Sequence, residues 1–236
     1  MTFAGSASVR RGRPPLDPGI SGRKDGEGAF MPELDHLVVT VADLDDGARV
    51  VGALLGQPLG AGGQHETMGT HNRLLGLGTG AYLEVIASDP DAERPPGPRW
   101  FGLDRPPKHA ALRNWVLRTD DLDAAIAEAP RWMGRPRDMK RGDLNWRMAL
   151  AEGGSLPFDG MAPALIEWCG GQAAAGLPES GCRLERLVLR HPGMSDLLEA
   201  WPALRLVEGI EFERGERPGL VARIGTPDGL RTLEGP

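Results

Sequence analysis

Three side chains in this sequence could together hold a divalent metal or move a proton: His36, Glu84 and Glu167. His36 follows Asp35 near the start of an apolar run, LDHLVVT, where strand alternation puts it on the face of Val38 and Thr40. Glu84 sits mid-strand in AYLEVIA, on the face of Tyr82 and Ile86. Glu167 sits likewise in ALIEWCG, on the face of Leu165 and Cys169. A carboxylate among apolar neighbours is costly to bury unless something pairs with it. One such Glu is easily explained by a salt bridge. Two at matching places, with a histidine near the start of the first unit, suggest convergence on one point, and His plus Glu donors suit Zn²⁺, Fe²⁺, Mn²⁺ or Ni²⁺. The plainer alternative for His36 is a core histidine bonded to the backbone.

The elements that would position these groups occur twice. After the first strand, Asp43 can cap a helix whose first turn carries Asp45 and Asp46. Leu44, Ala48, Val51 and Leu55 form its buried face, and Gly56 ends it. Gly/Pro-rich turns follow, then two strands over 72–77 and 81–87 joined by a hairpin turn at Gly78–Gly80. The same order returns in RNWVLRTDDLDAAIAEA, where Asp121 stands 78 positions after Asp43, and Glu167 stands 83 positions after Glu84. A third, fainter unit begins with a strand at LERLVLR, followed by a helical turn over 196–201 and three short strands. The expected fold class is α+β: paired βαβββ modules over 31–110 and 111–175, then a partial βαβββ-like unit over 176–236.

Composition narrows the function. A formal net charge of −6 argues against a nucleic-acid binder. Two cysteines make neither a disulfide framework nor a zinc knuckle, which suits a reducing cytoplasm. No apolar run reaches the length of about 18 residues that a membrane span needs. Residues 1–30 are rich in Gly, Pro, Arg and Ser and have no apolar signal core, so they are expected to be disordered and dispensable. Met31 follows directly, so translation starting there is an open alternative.

Taken together, DHLVVTVADLDDG, GTHNRLLGLGTGAYLEVIA and APALIEWCGG resemble the glyoxalase-like branch of the vicinal oxygen chelate superfamily, of bacterial type, across residues 34–170. The resemblance implies paired modules whose sheets curl into a half-barrel cupping a metal or ligand. Metal-binding members use a residue in the first strand and a Glu in the last strand of each module. On this chain those positions are His36, Glu84, Asn114 and Glu167, and the amide of Asn114 departs from the pattern. The implied metal ligands are His36, Glu84 and Glu167, with Glu84 and Glu167 also catalytic. One divalent metal (Zn, Ni, Mn or Fe) or none remain equally open.

The expected substrate-binding residues are His71, Asn72 and Arg73, in a segment that resembling sequences share, together with Asn114, Trp146 and Arg147. Arg147 could hold an acidic group bidentately if it points into the cup; otherwise it is a solvated strand arginine. His65, His109 and His191 lie in Gly/Pro-rich connections and carry no assigned role. The leading expectation is an enzyme of lyase, isomerase or dioxygenase type acting on a small metabolite with vicinal oxygens. The alternative is a metal-free binding or sequestering protein of bleomycin-resistance type. Expected partners are a small molecule, with a homodimer admitted, and neither nucleic acid nor membrane.

Overall fold

The computed structural model describes residues 32–78 and 80–236. The expectation about residues 1–30 therefore lies outside the described residues. The first module runs β1 (Glu33–Thr40), α1 (Leu44–Leu55), β2 (Gly60–His65), β3 (Thr70–Gly76) and β4 (Tyr82–Ser88). The second runs β5 (Ala111–Arg118), α2 (Leu122–Glu128), β6 (Pro136–Arg141), β7 (Leu144–Ala149) and β8 (Ala164–Trp168). Both helices start on the aligned aspartates: Asp43 accepts from the Asp46 N–H and Asp121 from the Ala124 N–H. Gly56 closes α1 in the left-handed conformation, as its position suggested.

The eight strands form one sheet in the order β2-β3-β4-β1-β5-β8-β7-β6. β1 and β5 pair antiparallel at its centre, and each pairs parallel with the last strand of its own module. The order reads alike from either end, so the two modules are related by an approximate two-fold axis. The sheet curls until its outermost strands meet: a β-carbon built on Gly63 of β2 would lie 2.8 Å from Cδ of Arg141 on β6. That near-closure shields two strand edges at once. β2 has the sequence GAGGQH and no strand signature, so it read as a turn; the sheet recruits it for pairing with β3.

β9 (Arg183–His191), α3 (Met194–Ala200), β10 (Ile210–Arg214), β11 (Gly219–Thr226) and β12 (Gly229–Gly235) form the C-terminal unit. Its element order repeats the modules, but its strand order, β10-β9-β11-β12, does not. The parallel partner of β9 is the next strand in sequence, whereas β1 takes the last strand of its module. This second sheet packs on the outer face of the first, where Leu187, Leu189, Leu220 and Ile224 join Leu112, Trp115 and Leu117 in one apolar cluster with α1 and α2.

The curled sheet therefore has two faces of different character. Outward point Leu37, Val39, Leu83, Val85 and Leu165, into the covered core. Inward point Val38, Ile86, Val116, Met148 and Ile166, with Trp100, Phe101 and Leu103 closing over them. Among the described residues no helix is long and apolar enough to cross a membrane.

Candidate active site in the cup

The site begins with an irregularity in β1. Leu34 faces Leu117 and His36 faces Val116, so Asp35 is an extra residue with no partner on β5. Such a bulge re-aims a side chain that strict alternation would send to the other face. Here it lets two consecutive side chains meet: His36 Nδ1 lies 2.6 Å from Asp35 Oδ1. Asp35 also accepts from the Trp168 indole N–H at 2.8 Å and from the Tyr82 phenol. The Tyr82 ring stacks on the His36 imidazole at 4.6 Å. Burial, followed by the charges of Asp35 and Glu84, pushes the Tyr82 phenol well above its usual range, so it stays protonated and donates.

With Nδ1 engaged by Asp35, His36 presents Nε2 to Glu84, whose Oε2 lies 3.6 Å away. Both residues are about 5% exposed or less. The other Glu84 oxygen accepts from Asn72 Nδ2 at 2.5 Å. Asn72 is itself fixed, because its Oδ1 takes the Gly63 N–H at 2.8 Å. A β-carbon on Gly62 would lie 2.1 Å from that same oxygen, so this close approach needs glycine. The result is a buried chain, Asp35–His36–Glu84–Asn72, in which every carboxylate has a donor or imidazole partner.

Around the chain lies a cavity of about 310 Å³, part of it open to solvent. It is walled by Tyr82, Trp100, Phe101, Trp146 and Trp168, with His65 and Arg141 on its polar side. His65 is buried beside Thr70, whose hydroxyl oxygen also accepts from the Trp100 indole. Burial, followed by the nearby Arg141, His36 and His71, lowers the His65 pKa from 6.5 to about 3, so this imidazole stays neutral. Arg141 reaches the cavity across the seam with β2, its stem lying over Gly63.

Several expected site residues are elsewhere. Glu167 faces outward, where its Oε2 accepts from Arg147 at 3.1 Å and from the Leu122 N–H at the start of α2. Arg147 is held between Glu167 and Asp123, so it is an outer-face arginine and not a clamp inside the cup. His71 and Arg73 pair with Ala87 and Val85 on the outer face, and Arg73 reaches Asp45 at 3.1 Å. Asn114 does point inward, opposite Val38, yet it lies beside Gly160 and away from the His36 cavity. His36, Glu84, Asn72 and Trp146 are the expected residues that the fold brings together.

The correction at Glu167 has a simple cause. In the sheet Glu84 lies opposite Val38, and Ala164 opposite Val116, the residue 78 positions after Val38. The true counterpart of Glu84 is therefore Ala164, 80 positions on. Matching Glu84 to Glu167 shifts the strand by an odd number, which sends every side chain to the wrong face. Asp35, His65, Tyr82 and Arg141 were missed as site residues. The Asp35 role depends on the bulge, which leaves no sequence signal. For Arg141 there was a weak one, since it shares strand phase with the buried Met139.

The profile of the Glyoxalase-like domain family matches residues 34–205. The chain belongs to that family. Its fold resembles a hypothetical protein from Staphylococcus aureus at 16% identity and a TM-score of 0.59, covering 79% of this chain and 88% of that one. Looser matches include methylmalonyl-CoA epimerases from Streptomyces coelicolor (16% identity, TM-score 0.41, 61% and 99% covered) and Mycobacterium tuberculosis (19%, 0.39, 64% and 97%). No curated protein matches the chain.

For a glyoxalase-like protein the donor set is short. The four positions that the family resemblance marks hold His36, Glu84, Asn114 and, by sheet register, Ala164. Among the described residues no group of three or more His, Cys, Asp and Glu side chains is placed to hold a metal ion. Two donors facing one another, one of them already bonded to an amide, do not make the three-ligand centre expected from His36, Glu84 and Glu167.

Proposed function

We propose that this glyoxalase-like protein is an acid–base enzyme, transferring a proton at a carbon adjacent to a carbonyl group of a small metabolite. One observation carries the reading. Asp35 holds Nδ1 of His36 at 2.6 Å, which directs Nε2 into a buried cavity and towards Glu84. An imidazole fixed by a carboxylate has one tautomer and one orientation, and the carboxylate stabilises the imidazolium that proton uptake creates. In the forward step Nε2 takes the proton, the C–H bond breaks, and its electron pair enters the enolate. The proton then returns to carbon from His36, or passes to Glu84 and returns from there, so the count closes with no co-reactant. The aromatic walls limit the water that reaches the enolate, while the open side lets the imidazole proton exchange with solvent.

The test is deuterium exchange into the enolisable positions of small aldehydes, ketones and 2-oxo acids, followed by proton NMR on protein treated with a chelator. Catalysed exchange is expected, falling by on the order of 10²- to 10⁴-fold in His36→Gln, the usual contribution of a positioned base. No exchange above buffer would overturn the reading. Ligand binding without exchange would favour a sequestering protein in its place.

A further inference from the structure

We propose that Arg141 makes this cup a site for small carboxylates, with the anionic end at the seam between β2 and β6 and the reacting carbon at His36. The inference rests on the proton-transfer reading and names its substrate class. Arg141 is the cavity's one arginine, and among the described residues it forms no ion pair. A cationic fork aimed into an aromatic cavity and left without an anion is built for a planar, bidentate acceptor, which a carboxylate is.

The charge distribution also sets a direction. The floor carries Glu84, with Asp35 behind His36, and these repel an anion; the seam carries Arg141, which attracts it. Glu84 and Arg141 share the cavity without forming an ion pair, so both ends stay available. His65 sits between these regions and stays neutral, adding no competing charge. A small carboxylate bearing a carbonyl would therefore enter with its carboxylate against Arg141 and its uncharged end against His36 Nε2. Flat walls of Trp100, Trp146 and Trp168 suit a planar body.

Gly63 supplies an independent lever. A β-carbon there would lie 2.8 Å from Cδ and 2.9 Å from Cγ of Arg141, so Gly63→Ala must displace the arginine stem without removing its charge.

The experiment is titration calorimetry of the full chain with benzoate and with benzamide, its uncharged counterpart. Benzoate should bind at least tenfold more tightly. Arg141→Met should erase that preference, Arg141→Lys should retain part of it, and Gly63→Ala should reduce it, with urea midpoints recorded to show that each variant is folded. Equal affinity for the two probes in the unaltered chain would overturn the assignment, as would a preference that survives Arg141→Met. Arg141 would then be a counter-charge to the buried carboxylates. Failure of proton transfer looks different: benzoate binds through Arg141, but 2-oxo acids do not exchange. If instead neutral ketones exchange and Arg141→Met changes nothing, the chemistry stands and the anion site falls.

Discussion

The inner faces of the two modules descend from one pattern and now do different work. On β4 the inward residues are Tyr82, Glu84 and Ile86; on β8 they are Ala164, Ile166 and Trp168. On β1 the bulge turns Asp35 towards His36, while the aligned strand β5 offers Asn114 and Val116. The first module holds the groups that can exchange a proton. The second supplies aromatic and apolar wall together with Arg141, and sends its own carboxylate, Glu167, to the outer face with Arg147. At the cavity a side-chain bond joins them, from the Trp168 indole to Asp35. A two-fold scaffold thus needs only one proton-transferring half, provided the other walls and steadies it.

The sharpest way to break this comparison is to alter matching groups on the two sides. On the proposed chemistry, Asp35→Asn or Glu84→Gln should lower exchange by on the order of 10²-fold or more, since each removes a proton-holding or orienting carboxylate. Glu167→Gln should leave exchange unchanged within about twofold, because its partners lie outside the cup. If Glu167→Gln were as damaging as Glu84→Gln, the division of labour would be wrong.

The second effect is structural. Ile166 is buried on the inner face and Glu167, its neighbour, is on the outer face. Ile166→Glu would put a carboxylate on the apolar wall formed with Val116, Met148 and Ala164, in the cavity that Arg141 also lines. Its cost should be on the order of 3 to 5 kcal/mol in urea unfolding. A cost below about 1 kcal/mol would mean that residue 166 faces outward after all.

How much of this was legible in the sequence follows from the same strands. The paired modules and both helix starts were readable, because Asp43 and Asp121 cap through local bonds three residues long. His36 and Glu84 were readable as a pair, since alternation places each on a face with known neighbours. Glu167 was not, because its match to Glu84 in sequence differs by three residues from the match the sheet makes at Ala164. Leu165 and Ile166 are equally buried, so alternation offers no phase and only pairing with Val116 sets it. β2 was hidden for another reason: its glycines are there to let Asn72 and Arg141 approach, which is a tertiary demand. The rule that a mid-strand carboxylate needs a partner held at Glu167; the partner was Arg147.

A third prediction concerns acid. His65 has a folded pKa of about 3 against about 6.5 in the unfolded chain, so only the unfolded state takes up this proton between those values. Stability should therefore fall as pH drops from about 6.5 towards 3, by up to about 1.4 kcal/mol per pH unit from this residue. His65→Gln removes the contribution. The stability of the natural chain relative to this variant should fall as pH drops through that window and level off below pH 3. A difference that does not change with pH would mean that His65 is hydrated, and that the first module's inner face is wetter than its walls suggest.

The smallest effect belongs to the outer face. Arg147 bridges Asp123 at 2.9 Å and Glu167 at 3.1 Å, and its bond to Asp123 holds that carboxyl below its usual range. The geometry is good, but Asp123 is exposed and the arginine partly so, and exposed ion pairs are weakened by water and by salt. Arg147→Met should shift the melting midpoint by no more than about 2 °C at low salt, and by less at about 1 M salt. Binding of benzoate and any deuterium exchange should stay as they were, because neither Asp123 nor Glu167 reaches the cup. A loss of benzoate binding in Arg147→Met comparable to that in Arg141→Met would show that the arginine six residues along also serves the cavity. It would also undo the contrast between a reactive inner face and a supporting outer one.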